Sequence, residues 1–288
     1  MERLVVYVIS LAMVLGGFAA RAAGDTKSEQ FLAQARAALG GDTNLNRVHG
    51  LTATGTFQRE MGDRQLSGEI AIDLQLPDKM LRTESMRPMG DATIEMLQGV
   101  NGDQLLRHSR TIGGGPGMML RVAPPGGADG EAQALRNQRA DMARFALAFL
   151  LATTPAMPLE FTYGGEAEAE DGKADVINAK GPGSFEARLF FDKKSHRPVM
   201  LAYRGLAPRM IMQTRRGDGP PPTASAPDQM PPPEIVDIQL FLDDYRVVDG
   251  VLLPHHLSRS IGGKPAEEMT FKTIRINPVF KPEAFSAK

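Results

Sequence analysis

The chain is 288 residues long, carries 33 lysines and arginines against 34 aspartates and glutamates for a net charge of −1, and contains no cysteine. A balance this close to neutral provides no global field to hold nucleic acid or an anionic membrane, so neither is expected as a charge-selected partner. The missing thiols exclude disulfides, thiolate catalysis, thiolate metal sites and the lipidated cysteine of a bacterial lipoprotein.

At the amino terminus a basic Arg3 precedes an apolar run from Leu4 to Ala20, and Ala20 and Ala22 form an A-x-A exit. This pattern predicts a signal peptide over residues 1–22, cut after Ala22, and hence export of a soluble protein to the periplasm. Thr26 and Glu29 have capping-box spacing. Phe31, Leu32, Ala35 and Leu39 share one helical face, and Gly40 and Gly41 supply the stop.

From Leu51 the period changes from helical to two. Leu51, Ala53 and Phe57 alternate with threonines and Gln58, and Ile70, Ile72 and Leu74 alternate with Glu69, Asp73 and Gln75. One dry and one wet face is the mark of antiparallel sheet. Val236, Ile238 and Leu240 repeat the pattern late in the chain and are expected to face the same interior. Asn101-Gly102, Asp171-Gly172 and Asp249-Gly250 provide tight-hairpin chemistry between such runs. The acidic EAEAED before Gly172 lacks the ligand spacing of a calcium loop and alternates with alanine as a strand does.

One long helix is predicted from about Glu131 to Thr153. Its second half, ARFALAFLLA, is apolar nearly all round and so calls for burial against a sheet face. It is too short, and too charged upstream, to span a bilayer. Before it lies a glycine-rich loop containing Met118 and Met119. After it, residues 217–233 hold seven prolines and read as an insertion between two strands. No composition shift marks a boundary, so residues 23–288 are expected to form one mainly β (α+β) domain.

Phe241 to Ile261 concentrates three aspartates, a tyrosine and the adjacent His255 and His256. Neighbouring strand residues point to opposite faces, so the two imidazoles are expected one inward and one outward across an Asp249-Gly250 hairpin, not on one metal. No H-E-x-x-H, G-x-S-x-G or P-loop spacing occurs, and Gly113, Gly115 and Gly117 lack the strand-to-helix setting of a phosphate loop. No catalytic residue, metal or cofactor is therefore expected.

LPDKMLRTES (76–85), FFDKKSHRPVML (190–201), DYRVVDGVLLPHHL (244–257) and TIRINPVFKPEAF (273–285), in that order, resemble the successive strands of LolA-like proteins, the outer-membrane lipoprotein-sorting superfamily. The resemblance runs from about Phe31 to Phe285. It implies a strongly curved antiparallel sheet, an incomplete β-barrel, with helices over its concave face and an apolar cavity between them.

By the same resemblance the cavity holds a lipid, acyl chain or other hydrophobic molecule without chemistry, with a membrane protein or lipoprotein as partner. Its lining is expected from Ile70, Ile72 and Leu74 and from Phe145, Leu147, Phe149 and Leu150, with Met118 and Met119 at the mouth. The alternative is an interaction or sensor protein of the same fold whose proline-rich insertion docks a protein partner.

Overall fold

A computed structural model describes residues 21–61, 64–87, 92–113, 118–121, 127–169, 172–207, 211–214 and 234–286. Most of the expected signal peptide and all of the proline-rich insertion lie outside them. Helix α1 spans Arg21–Ala38 and α2 Asp42–Leu45. Five strands follow: β1 (Gly50–Met61), β2 (Arg64–Gln75), β3 (Lys79–Met86), β4 (Thr93–Asn101) and β5 (Gln104–Ile112). A short β6 (Met118–Arg121) leads to α3 (Gly127–Leu150). The second half holds β7 (Glu160–Ala169), β8 (Gly172–Gly181), β9 (Phe185–Asp192), β10 (Pro198–Leu206), β11 (Ile211–Thr214), β12 (Ile235–Val248), β13 (Val251–Ile261) and β14 (Lys264–Ile276).

Among the described residues, twelve strands form one antiparallel sheet in the order β5-β4-β3-β2-β1-β14-β13-β12-β10-β9-β8-β7. Its end strands do not pair, so it is an open, curved sheet and not a closed barrel. Met118 and Met119 lie in β6, which pairs with β11 in a separate two-stranded sheet, Met119 opposite Gln213. The glycines around them point to a loop by composition, but ladder hydrogen bonds to β11 override local propensity.

Alternation sorts the strands as expected. Ile70, Ile72 and Leu74 are buried on the concave face together with Ile238 and Leu240, while Val236, nearer the strand end, is half-buried. The Asp249-Gly250 turn joins β12 to β13 with both residues at positive φ, 49° and 84°, as a type I′ hairpin requires. His255 is buried and His256 faces outward, the split that the strand period demands.

The helices depart from expectation at their ends. Thr26 and Glu29 lie inside α1, because the alanines preceding them carry the helix back to Arg21. Its carboxyl end does stop at the glycines. Gly41 N–H donates to the Arg36 carbonyl at 2.8 Å and Gly40 N–H to that of Ala37 at 3.2 Å, the Schellman pattern. Helix α3 ends at Leu150, short of Thr153, where Leu151 turns to φ 48°. Arg36 of α1 caps that end by donating to the Leu151 carbonyl at 3.2 Å.

Helix α1 also covers the β7 edge, which would otherwise present unpaired backbone. Ser28 Oγ donates to the Phe161 carbonyl at 3.1 Å, and the Phe31 ring stacks on Tyr163 at 5.2 Å. Helix α3 lies on the concave side. Its apolar half is fully buried, with Leu147, Phe149 and Leu150 no more than 1% exposed. Phe280 and Phe285 pack beneath β3 and β5 on the opposite face, against Leu81 and Leu106. No helix among the described residues is long and apolar enough to cross a membrane.

Candidate functional site

The concave face is not wholly filled by α3. Between the helix and the sheet lies a cavity of ≈ 800 Å³, within the range of about 300–1,000 Å³ typical of small-molecule sites. Its floor is apolar and comes from strand alternation: Ile72 of β2, Met80 of β3, Met269 of β14, Leu257 of β13, Leu240 of β12 and Leu201 of β10. Its roof is the α3 face carrying Phe145, and its entrance runs between the polar half of α3, around Arg136, and the ends of β10 and β12. There Leu206 and Ile235, paired across the two strands, are 44% and 58% exposed.

Arginines set the electrostatics of this space. Arg82, Arg136, Arg139, Arg144, Arg204 and Arg259 line it, against Asp141 as the acidic member. Two of the six are partnered outside: Arg139 with the exposed Asp103, and Arg204 loosely with Asp237 at 3.9 Å. Arg144 stacks its guanidinium 3.8 Å from the Tyr203 ring centroid and donates to Asp141 Oδ1 at 2.9 Å, while its Nε is buried without a hydrogen-bond partner.

Arg82 and Arg259 belong to an ion-pair network set into the floor. Arg59 grips Glu84 with two donors, at 2.7 and 3.2 Å, and donates to Glu267 through Nε at 2.9 Å. Arg82 donates to Glu84 at 2.6 Å and to Glu267 at 2.7 Å, and Arg259 lies 3.2 Å from the other Glu267 oxygen. Burial by itself would push both carboxyls up. The fields of Arg82 and Arg59, joined at Glu267 by Arg259, outweigh that penalty and hold both below the usual carboxylate range.

Of the residues singled out by sequence, Ile72 and Phe145 border the cavity. Ile70, Leu74, Leu147, Phe149 and Leu150 belong to the same buried core but pack away from the void. Phe149, for example, sits between Phe145 at 4.2 Å and the edge of Phe271 at 6.1 Å. Met118 and Met119 stand in the small second sheet. Strand alternation marks Leu240 in advance, and applied to β3, β13 and β14 it finds Met80, Leu257 and Met269. It does not distinguish Arg82 or Arg259, since a charged residue at a dry position offers no sign of its partner.

The histidine stretch is architecture. His255 Nδ1 lies 3.0 Å from the Leu253 carbonyl, and His256 Nδ1 lies 3.0 Å from Asp243 on the outer face. Among the described residues no three His, Cys, Asp or Glu side chains are grouped to hold a metal ion. A smaller recess of ≈ 250 Å³ lies on the convex face, where Phe190, Met200 and Phe241 form its apolar part.

No protein-family model and no curated protein matches the chain. Solved structures do. A LolA superfamily protein from Nitrosomonas europaea is 8% identical, with a TM-score of 0.48 over 90% of this chain and 97% of its own. A domain from Vibrio parahaemolyticus described as an outer membrane lipoprotein-sorting protein is 10% identical, with a TM-score of 0.47 over 91% of this chain and 97% of its own. A DUF1329 family protein from Desulfovibrio piger is 8% identical, with a TM-score of 0.46 over 90% and 97%.

Proposed function

We propose that this protein is an exported, non-catalytic binder and carrier of a hydrophobic ligand, a lipid or a lipoprotein's acyl chain, held between α3 and the concave face of the sheet. The observation that carries this reading is the cavity of ≈ 800 Å³ with a floor of Ile72, Met80, Leu201, Leu240, Leu257 and Met269. A space this large admits water, which serves the apolar floor poorly, and an apolar guest that displaces it gains hydrophobic burial. The exposed Leu206 and Ile235 at the entrance give such a guest an apolar threshold to cross. An apolar amino-terminal run from Leu4 to Ala20 ending in small residues supports export to the periplasm.

Native mass spectrometry of protein purified without detergent is expected to show co-purified lipid. After delipidation, the neutral dye N-phenylnaphthylamine is expected to bind with a rise in fluorescence and to be displaced by long-chain lipids. A protein that is empty as isolated and leaves the dye unbound would overturn the reading.

A further inference from the structure

We infer that the cavity selects amphiphiles bearing an anionic head, a carboxylate or a phosphate, which is received by Arg144 with Arg82 and Arg259 while the tail lies on the apolar floor. This inference rests on the hydrophobic-binder reading above and adds a charge specificity to it.

Three observations converge on it. First, the buried network is unequal: Arg59, Arg82 and Arg259 face Glu84 and Glu267, both carboxylates held ionised, so one positive charge remains uncompensated. Arg82 and Arg259 expose part of that excess to the cavity. In a site of low dielectric a lone guanidinium charge is costly until an anion meets it.

Second, Arg144 is incompletely satisfied. Asp141 takes one of its terminal nitrogens and Tyr203 its face, yet Nε is buried with no partner, although a guanidinium is built to offer paired donors to a carboxylate or phosphate.

Third, the groups converge on one place. Arg144 lies 3.8 Å from the Tyr203 ring centroid, and Arg82 and Arg259 line the same cavity as both. Tyr203 is itself a lining residue and stands beside the apolar floor at Leu201 and Ile238. Head and tail sites are therefore contiguous, as a single amphiphile requires.

The test is competition for N-phenylnaphthylamine bound to the full protein, using palmitate, its uncharged methyl ester and hexadecylamine. Palmitate is expected to displace the dye about tenfold or more better than the ester, with the amine weakest, since a charge-assisted contact contributes on the order of a tenfold factor or more. Lysophosphatidic acid set against the neutral monoacylglycerol distinguishes a phosphate head from a carboxylate.

In R144Q the palmitate-to-ester ratio is expected to fall toward unity, and in R144K to be partly kept. If Arg144 variants do not fold, R259Q removes the most exposed charge of the network from the same head site, and the same fall in the ratio is expected. Dye binding with equal displacement by palmitate and its ester would overturn the anion preference and leave the binder reading intact. Absence of dye binding would remove both.

Discussion

Arg82 on β3 donates to Glu267 on β14 at 2.7 Å although β2 and β1 lie between their strands. In the register Arg82 faces Ile72, whereas Glu267 faces Arg59, which faces Leu66. Three strand steps alone would separate the two backbones by about 14 Å in a flat sheet, and the offset along the strands adds to this. The contact exists because the sheet bends along that diagonal and drives its concave side chains together. The network thus pins the curvature that makes room for the cavity.

Removing one member of the network should be costly. Glu267→Gln leaves Arg59, Arg82 and Arg259 with Glu84 as the network's one carboxylate and is expected to destabilise the fold by about 3–5 kcal/mol in urea unfolding. Removal of the exposed Arg110–Glu95 pair, whose arginine is 59% exposed, should cost about 0–1 kcal/mol. Equal effects at the two sites would show that the network is not a buried one in solution.

The same carboxylates predict acid lability. Glu84 and Glu267 both titrate below the ordinary value of 4.5 in the folded state. The unfolded chain therefore binds protons at these groups before the folded state does. Their contribution to stability is complete above about pH 4.5 and is lost as pH falls through the depressed folded values. Urea midpoints measured from neutral pH down to about pH 3 should fall more steeply in the natural protein than in the Glu84→Gln, Glu267→Gln double variant.

Core and cavity roles of α3 should separate by substitution. Phe149, fully buried between Phe145 and Phe271, is expected to cost about 3–5 kcal/mol as alanine. Such a change should leave dye affinity close to unchanged. Phe145→Ala and Ile72→Ala border the void, so they should cost less than comparable core truncations and weaken dye binding. Melting temperature and dye affinity measured on each variant decide this, and an affinity that never moves would reassign both residues to ordinary core.

Helix α1 is docked through Gly40. This residue has φ 119°, and a Cβ placed there would run into the carbonyl oxygen of Gly250 at the β12–β13 turn. The neighbouring Leu252 N–H donates to the Leu39 carbonyl at 2.9 Å. Gly40→Ala is therefore expected to lose more than about 1 kcal/mol and to raise amide exchange at Leu252. Gly41→Ala, with open space around it and φ 84°, should show the backbone strain without the collision.

Some features needed only local information. The alternation through Ile70, Ile72 and Leu74 and again through Ile238 and Leu240 assigned strand faces, because the period of a strand is a property of neighbouring residues. Asp249-Gly250 specified its own turn through positive φ, and the opposite faces of His255 and His256 followed from adjacency. The all-round apolar run from Ala143 to Ala152 required burial wherever the chain placed it.

Which dry-face residues meet a partner and which meet a void was decided by tertiary structure. Met80, Arg82, Glu84 and Met86 follow one another on the dry face of β3, and the contact of Arg82 with Glu84 at 2.6 Å does not by itself account for burying both charges. Their explanation lies 25 and 185 residues away along the chain, at Arg59 and Glu267. Likewise Phe145 borders the cavity and Phe149 does not, though both sit on the buried half of one helix. Periodicity assigns each residue to a face. How far that face stands from the one opposite depends on the curvature of the sheet, which only long-range pairing sets.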